Sequence, residues 1–392
     1  MYNSAKGYIS YTGGGWYNHN WGSYSVLNGG TYNYIYNSYS VIGGGAWNWN
    51  WGKYATIGGG HNNYVYSYAG TVAGGQYNTV YGSYGSVGGG WYNHCYGSWS
   101  VIGGGWQNYL TQPGGFIGGG YYNRNYQDYG VVGGGTSNWL YNTGAQYATI
   151  AGGHNHYVYT YGASIAGGMY NSAYGYQART GGGHYNNAMS SWSFTGGGYD
   201  NWTGGAWSTV GGGGYNYAYS TMSTISGGGY NRVYSYASAI LGGQSTYIYA
   251  GWGVIGGHNS YIYSYASSIG GGMYNSVYGY VGNVGGGKWN RMYNSWGHIG
   301  GGYYNWNYSP WSSIGGGTNH WMYGKAYMTI AGGHNHYIYS YAGTIGGGMY
   351  NSVYGSYGVA NGGYSGHAWG SYSVVGGGMW NWAYGTASTV GG

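Results

Sequence analysis

A chain of 392 residues with only ten Asp, Glu, Lys or Arg side chains and a formal charge of +6 does not make an ordinary globular surface. Its few basic residues are scattered, which excludes a nucleic-acid groove. Glycine fills 97 positions, Tyr 62 and Trp 21, leaving too few Leu, Ile, Val and Phe for a large three-dimensional core, so the core must be thin and repeated. No apolar run reaches the roughly 18 residues of a membrane span, and the N-terminus lacks a secretory pattern, so any export signal is expected outside this chain.

The repeat is read by setting position 0 at the residue before each glycine cluster. The series runs Thr12, Leu27, Ile42, Ile57, Val72, Val87, Ile102, Ile117 and Val132, then Ile150, Ile165, Thr180, Thr195, Val210, Ile225 and Ile240. It continues with Val254, Ile269, Val284, Ile299, Ile314, Ile330, Ile345, Ala360, Val375 and Val390. Of 25 intervals, 22 are 15 residues and the others are 18, 14 and 16. Phase kept this well marks a solenoid rather than a biased low-complexity tract. The expected fold is all-β, a β-solenoid or β-roll of about 26 stacked coils of 15 residues in an oligomeric fibre. Residues 1–392 form one continuous repeat domain, with irregular coils near 133–150, 241–254 and 315–330. At roughly 4.8 Å per coil the rod is expected to be on the order of 125 Å long. The chain opens at +4 and closes at +2, in mid-coil, which suggests part of a longer array or head-to-tail stacking.

Within a coil, positions +2 and +3 are glycine throughout, as in Gly14 and Gly15, Gly59 and Gly60, Gly89 and Gly90, Gly271 and Gly272, and Gly347 and Gly348. Position +1 accepts Asn28, Ala73, Ser226 and Leu241. A turn with positive φ and close approach of a neighbouring backbone both explain the glycines. Period-2 alternation points +6, +8, +13 and 0 inward and +5, +7, +9, +12 and +14 outward, giving two short strands per coil. Position +6 is Asn in 20 of 26 coils. Stacked as Asn63, Asn78, Asn93, Asn108 and Asn123, these residues either form an amide ladder or occupy left-handed turn positions.

The coil pattern Val-Gly-Gly-Gly-x-x-Asn-x-Ala-x-Gly-Ser-Tyr-Ser-x resembles the repeats of trimeric autotransporter adhesin heads and of related phage tail-fibre segments, and it covers nearly the whole chain. Those families more often use a 14-residue coil with small outward residues. The resemblance implies a left-handed β-roll, three chains around one axis, and adhesion to matrix or surfaces.

Here the outward positions carry rings, as at Tyr66, Tyr81, Tyr96, Tyr234, Tyr278 and Tyr354. Columns of such rings exceed the apolar patches that soluble monomers expose, so something is expected to cover them. The expected function is that of a structural, fibre-forming extracellular or cell-surface protein whose partner is itself, as a homo-oligomer or filament. The alternative is an adhesin that binds carbohydrate on the ring strips.

Chemistry-bearing constellations are sparse. His154 with His156, and His334 with His336, stand two apart; on a strand they would share a face and offer weak metal candidates. Asp128 and Asp200 are the only carboxylates, which leaves little for general acid–base work. The glycine turns lack the Lys-Ser/Thr ending of a phosphate loop. Cys95 has no second thiol with which to form a disulfide or a metal site. No catalytic residue, metal or cofactor is therefore assigned, and no enzyme is expected.

Overall fold

The computed structural model describes residues 2–142 and 145–392, and these form an all-β parallel solenoid of about 26 turns, one roughly every 15 residues. The chain divides into two compact units, Met1–Asp200 and Asn201–Gly392. In the first unit each coil contributes two strands of two residues, for example His94–Cys95 and Val101–Ile102. Each strand pairs in parallel with its counterpart one coil on, Cys95 opposite Leu110 and Ile102 opposite Ile117. The second unit repeats the arrangement, Ile262 facing Val277 and Ile269 facing Val284. A third line of contact runs along position +4 as single-residue parallel bridges, Trp91 to Trp106 to Tyr121. Alternation alone does not reveal this line, because a lone bridged residue has no period to detect.

The inward set is +6, +8, +13 and 0, as expected. Val87, Cys95, Ile102, Leu110 and Ile117 are fully buried, as are Val277, Val284, Met292 and Ile299 in the second unit. Each unit thus has one narrow apolar file, Leu27 to Ala188 in the first and Val210 to Ala383 in the second. Burial pushes the Cys95 thiol up to about 12, so it is an inert core residue.

Positive φ falls where the glycines do not predict it. Positions +5 and +12 take φ near +55° in nearly every coil and are filled by bulky residues such as Tyr92, Tyr77, Tyr84 and Trp99. The left-handed conformation reverses the direction of the N–H. Tyr96 donates forward to the carbonyl of Leu110, whereas Tyr92 donates back to Gln76 and Trp99 back to Ser83. Each coil is therefore hydrogen-bonded in both directions, which offsets the roughly 1–2 kcal/mol that a non-glycine residue loses in this conformation.

The two turn glycines have different causes. At +3, Gly60, Gly90, Gly272 and Gly348 have φ between 82° and 93°, and an added Cβ would run into the carbonyl oxygen of the glycine one coil on. Gly15, with φ 107°, meets Gly30 in the same way. At +2, Gly59, Gly89 and Gly347 have φ of 143° to 156° but open space where a Cβ would stand. Gly14 and Gly271 likewise have nothing within 4 Å of that point. Close backbone approach thus applies to +3 and not in general to +2, Gly29 being an exception whose Cβ would stand 2.8 Å from the carbonyl oxygen of Gly14.

The irregular coils resolve by register. Ile255, not Val254, stands between Ile240 and Ile269 in the inward file, and Val254 pairs with Ala239 and Ser268 on the outward side. The short coil is therefore the next one, and the missing residue belongs to the glycine turn at Gly256–Gly257 rather than to 241–254. Two aliphatic neighbours made the sequence ambiguous, and burial of Ile255 decides between them. The three-residue insertion lies between Leu140 and Thr149, where Thr143 and Gly144 fall outside the described residues. The single extra residue lies between Met322 and Thr329.

Candidate functional site

The two chemically distinctive features are an inner polar ladder and an outer face of rings. Both follow from one strand-and-turn geometry repeated at a fixed spacing.

The inner ladder links asparagine side chains chiefly to backbone. The N–H groups of Asn78, Asn93, Asn108 and Asn123 each donate to the Oδ1 of the Asn one coil earlier, at 3.0 Å. The Nδ2 of Asn93 donates to the carbonyls of Gly89 and Gly105, both at 2.9 Å, and Asn63 does the same to Gly59 and Gly75. Direct amide-to-amide contacts also occur, as from Asn93 Nδ2 to Asn78 Oδ1 at 3.1 Å. None of the five residues has positive φ; that conformation belongs to the residue before. One buried amide thus satisfies a backbone donor and the +2 glycine carbonyl, which would otherwise each cost roughly 1–3 kcal/mol. It adds a second bond to the +3 carbonyl that already accepts a backbone N–H, as Gly105 does from Trp91.

A second ladder runs along +13, which the inward pattern identified without its role. Ser100 Oγ donates to the carbonyl of Gln112 at 2.9 Å and accepts the N–H of Gly115 at 3.1 Å. Ser267 does the same with Gly279 and Gly282. The recurrence of Ser at +13 among Ala, Gly and one Met, Met328, was the available signal.

The histidine pairs do not form the strand face expected of them. His154 occupies the +4 bridge, Asn155 has φ 54°, and His156 is fully buried at +6 in place of the ladder Asn. His334, Asn335 and His336 repeat the arrangement, with φ 56° at Asn335. The intervening left-handed residue turns the second imidazole inward. Its Nδ1 then accepts the next coil's N–H, from Asn171 for His156 and from Asn351 for His336, both at 3.1 Å. Accepting at Nδ1 places the proton on Nε2, which in His336 is turned toward the carbonyls of Gly332 and Gly348, short of full hydrogen-bond geometry. Imidazole therefore mimics the amide. Burial, followed by the neighbouring His336 and His334, drives His320 down to about 3, and burial drives His336 down to about 4. No cluster of three or more His, Cys, Asp or Glu suited to a metal occurs among the described residues.

The outer face is a set of ring columns. At +9, Tyr66, Tyr81 and Tyr96 stack at 4.6 and 4.7 Å with planes within 5°. In the second unit Tyr234, Tyr249, Tyr263 and Tyr278 continue at 5.1, 5.0 and 4.7 Å. Further on, Tyr339, Tyr354 and Trp369 stack at 5.4 and 4.0 Å. Neighbouring rings cover the faces and leave the edges and hydroxyls in water, so the six tyrosines named from the sequence are 36 to 44 % exposed. Parallel columns run at +5, as in Tyr17 with Tyr32, and at +12, as in Tyr24, Tyr39 and Tyr54. Burial, then neighbouring phenols, pushes Tyr141 and Tyr159 up to about 12. Cations are few, and Lys53, Arg124, Arg232 and Arg291 lie over rings: Arg124 stands 4.3 Å from the Tyr122 centroid and Arg291 stands 5.1 Å from that of Trp306.

No protein-family model matches the chain, and no curated protein is similar to it. No helix of the described residues is long and apolar enough to cross a membrane.

Proposed function

We propose that the chain is a structural, fibre-forming extracellular or cell-surface protein whose copies associate through the ring columns at +9. The observation that supports this reading is the columns themselves: ring edges at a single spacing, in register over many coils, on a surface nearly free of charge. An apolar strip of this length exceeds what soluble monomers leave in water. A second copy carries the same spacing, so two columns interdigitate without adjustment of either backbone. Ring pairs contribute roughly 0.5–1.5 kcal/mol beyond area burial, and a column supplies many of them. The resemblance to adhesin heads and tail fibres favours three chains around one axis.

Sedimentation velocity tests the proposal. The chain is expected to sediment as a species larger than a monomer, and a variant with Tyr234, Tyr249, Tyr263 and Tyr278 changed to Ser is expected to shift toward monomer while keeping its β circular dichroism. A wild-type monomer at high concentration would refute it.

A further inference from the structure

The +7 column is a wall of rings and long side chains with four gaps in its interior. Apart from Ser4 in the first coil, whose hydroxyl bonds His19, the small residues at +7 are Thr79, Ser172, Ser276 and Ser352, each between 4 and 7 % exposed. Their strands, Thr79–Val80, Ser172–Ala173, Ser276–Val277 and Ser352–Val353, are the ones among the described residues in which the outward residue is buried as well as the inward one. A small residue between tall neighbours makes a recess.

The four recesses share one construction. The residue one coil before is always tyrosine: Tyr64, Tyr157, Tyr261 or Tyr337. Each has a ring of the preceding coil behind it: Tyr261 stacks on Tyr247 at 5.4 Å and 3°, while Tyr64, Tyr157 and Tyr337 lie tilted at 6.3 to 6.4 Å from Trp49, Trp139 and Trp321. Its other face looks over the hydroxyl residue, with no ring above it in the column. The residue one coil after is always polar: His94, Asn187, Arg291 or His367. Tyrosines at +5 and +9 close the sides, Tyr350 and Tyr354 in the case of Ser352. The cavity there is about 400 Å³, within the usual size of a small-molecule site. Among the described residues no group hydrogen-bonds the floor hydroxyls of the four recesses.

Two coil steps separate the tyrosine from the polar residue, roughly 9.6 Å, which admits one flat ring between them. The ring of a second copy would leave the floor hydroxyl unpaired beneath it and would not explain the polar wall. Imidazole, amide and guanidinium have little in common except hydrogen bonding. A pyranose fits both requirements, its C–H face on the tyrosine and its hydroxyls on the floor and the polar wall. We propose that the recesses at Thr79, Ser172, Ser276 and Ser352 each bind one pyranose residue of a neutral carbohydrate. The sites are separated by several coils, so they act as independent single-sugar sites. This inference does not rest on self-association.

Saturation-transfer NMR on the full chain tests it, with methyl β-D-glucopyranoside, methyl β-D-galactopyranoside and methyl α-D-mannopyranoside as probes and p-cresol as a mimic of a tyrosine side chain. At least one pyranoside is expected to receive saturation, strongest on the protons of one ring face. Filling all four recesses (T79Y, S172Y, S276Y, S352Y) extends the columns as in neighbouring coils, and is expected to weaken binding at least tenfold with the β circular dichroism retained. The milder set T79V, S172A, S276A and S352A removes only the hydroxyls and is expected to weaken binding about threefold. No transfer to any pyranoside, equal transfer in the filled variant, or transfer to p-cresol alone would each overturn the proposal, the last by identifying a socket for a tyrosine.

Discussion

The two units keep the same coil but interrupt its two columns to different extents. In the first, the inner ladder is asparagine from Asn18 to Asn138 and resumes at Asn171 after the single exchange at His156, while the +9 ring column breaks at Thr111 and again at Met189. In the second, the ring column runs without a gap from Tyr219 to Tyr384, while the ladder changes to Thr246 and Ser260 and later to His320 and His336. Strand pairing continues through every one of these changes. The constant element is therefore the backbone ladder, with the glycine at +3 that lets coils approach. Position +6 usually supplies an acceptor for the next N–H, which a hydroxyl or an imidazole also provides, as Ser260 does for Asn275 at 3.3 Å, and pairing persists past Gly366, which provides none.

The largest expected effect comes from breaking what both units share. Gly90→Ala combines a φ of 87° with a Cβ driven into Gly105, and is expected to destabilise by roughly 2–5 kcal/mol. Gly89→Ala next to it meets no clash, only the Gly74 carbonyl oxygen at 4.0 Å, and carries the strain of φ 143° alone, an expected cost of roughly 1–3 kcal/mol. Denaturant unfolding of the two variants checks the difference, and equal losses would contradict the account of +3. Next comes the ladder: Asn93→Leu orphans the N–H of Asn108 and the carbonyl of Gly89, while that of Gly105 keeps its bond from the Trp91 N–H, an expected loss of roughly 3 kcal/mol. Asn93→His is expected to lose less, because His156 already fills the equivalent place.

Acid separates the His320–His336 stretch from the asparagine run of the first unit. His320 and His336 are held neutral, with folded values of about 3 and 4 below the ordinary 6.5, so between those limits the unfolded chain binds more protons. Stability from this source is complete above pH 6.5 and falls as the pH drops toward 4, by up to roughly 1.4 kcal/mol per pH unit for each histidine. Hydrogen exchange of residues 314–345 is expected to quicken at pH 4.5 relative to the Asn48–Asn138 run, and H320N with H336N is expected to abolish the difference. The smallest effect is Thr111→Tyr, which completes the broken column and also removes a buried, unpartnered Oγ1. It is expected to stabilise the first unit by about 1 kcal/mol, read as a higher midpoint of thermal unfolding.

Much of this was legible because burial follows period 2 within a coil and phase follows glycine between coils. The inward set, the outward rings and the stacking of coils all come from those two regularities. What escaped was conformation that leaves no residue signature. Tyr92 and Trp99 stand in a left-handed region where glycine or Asn would be looked for, because reversed N–H groups at Tyr92 and Trp99 find partners in the preceding coil. The same turn sends His156 inward, where a strand would have set it beside His154. The choice between Val254 and Ile255 required knowledge of which one is buried.

Nitration of tyrosine by tetranitromethane, mapped by peptide mass spectrometry on dilute and on assembled protein, tests most directly whether chains cover the ring columns. The account predicts that Tyr66, Tyr81, Tyr234, Tyr278 and Tyr354 react in dilute solution and become protected on assembly. Equal nitration of these rings in both states would contradict it.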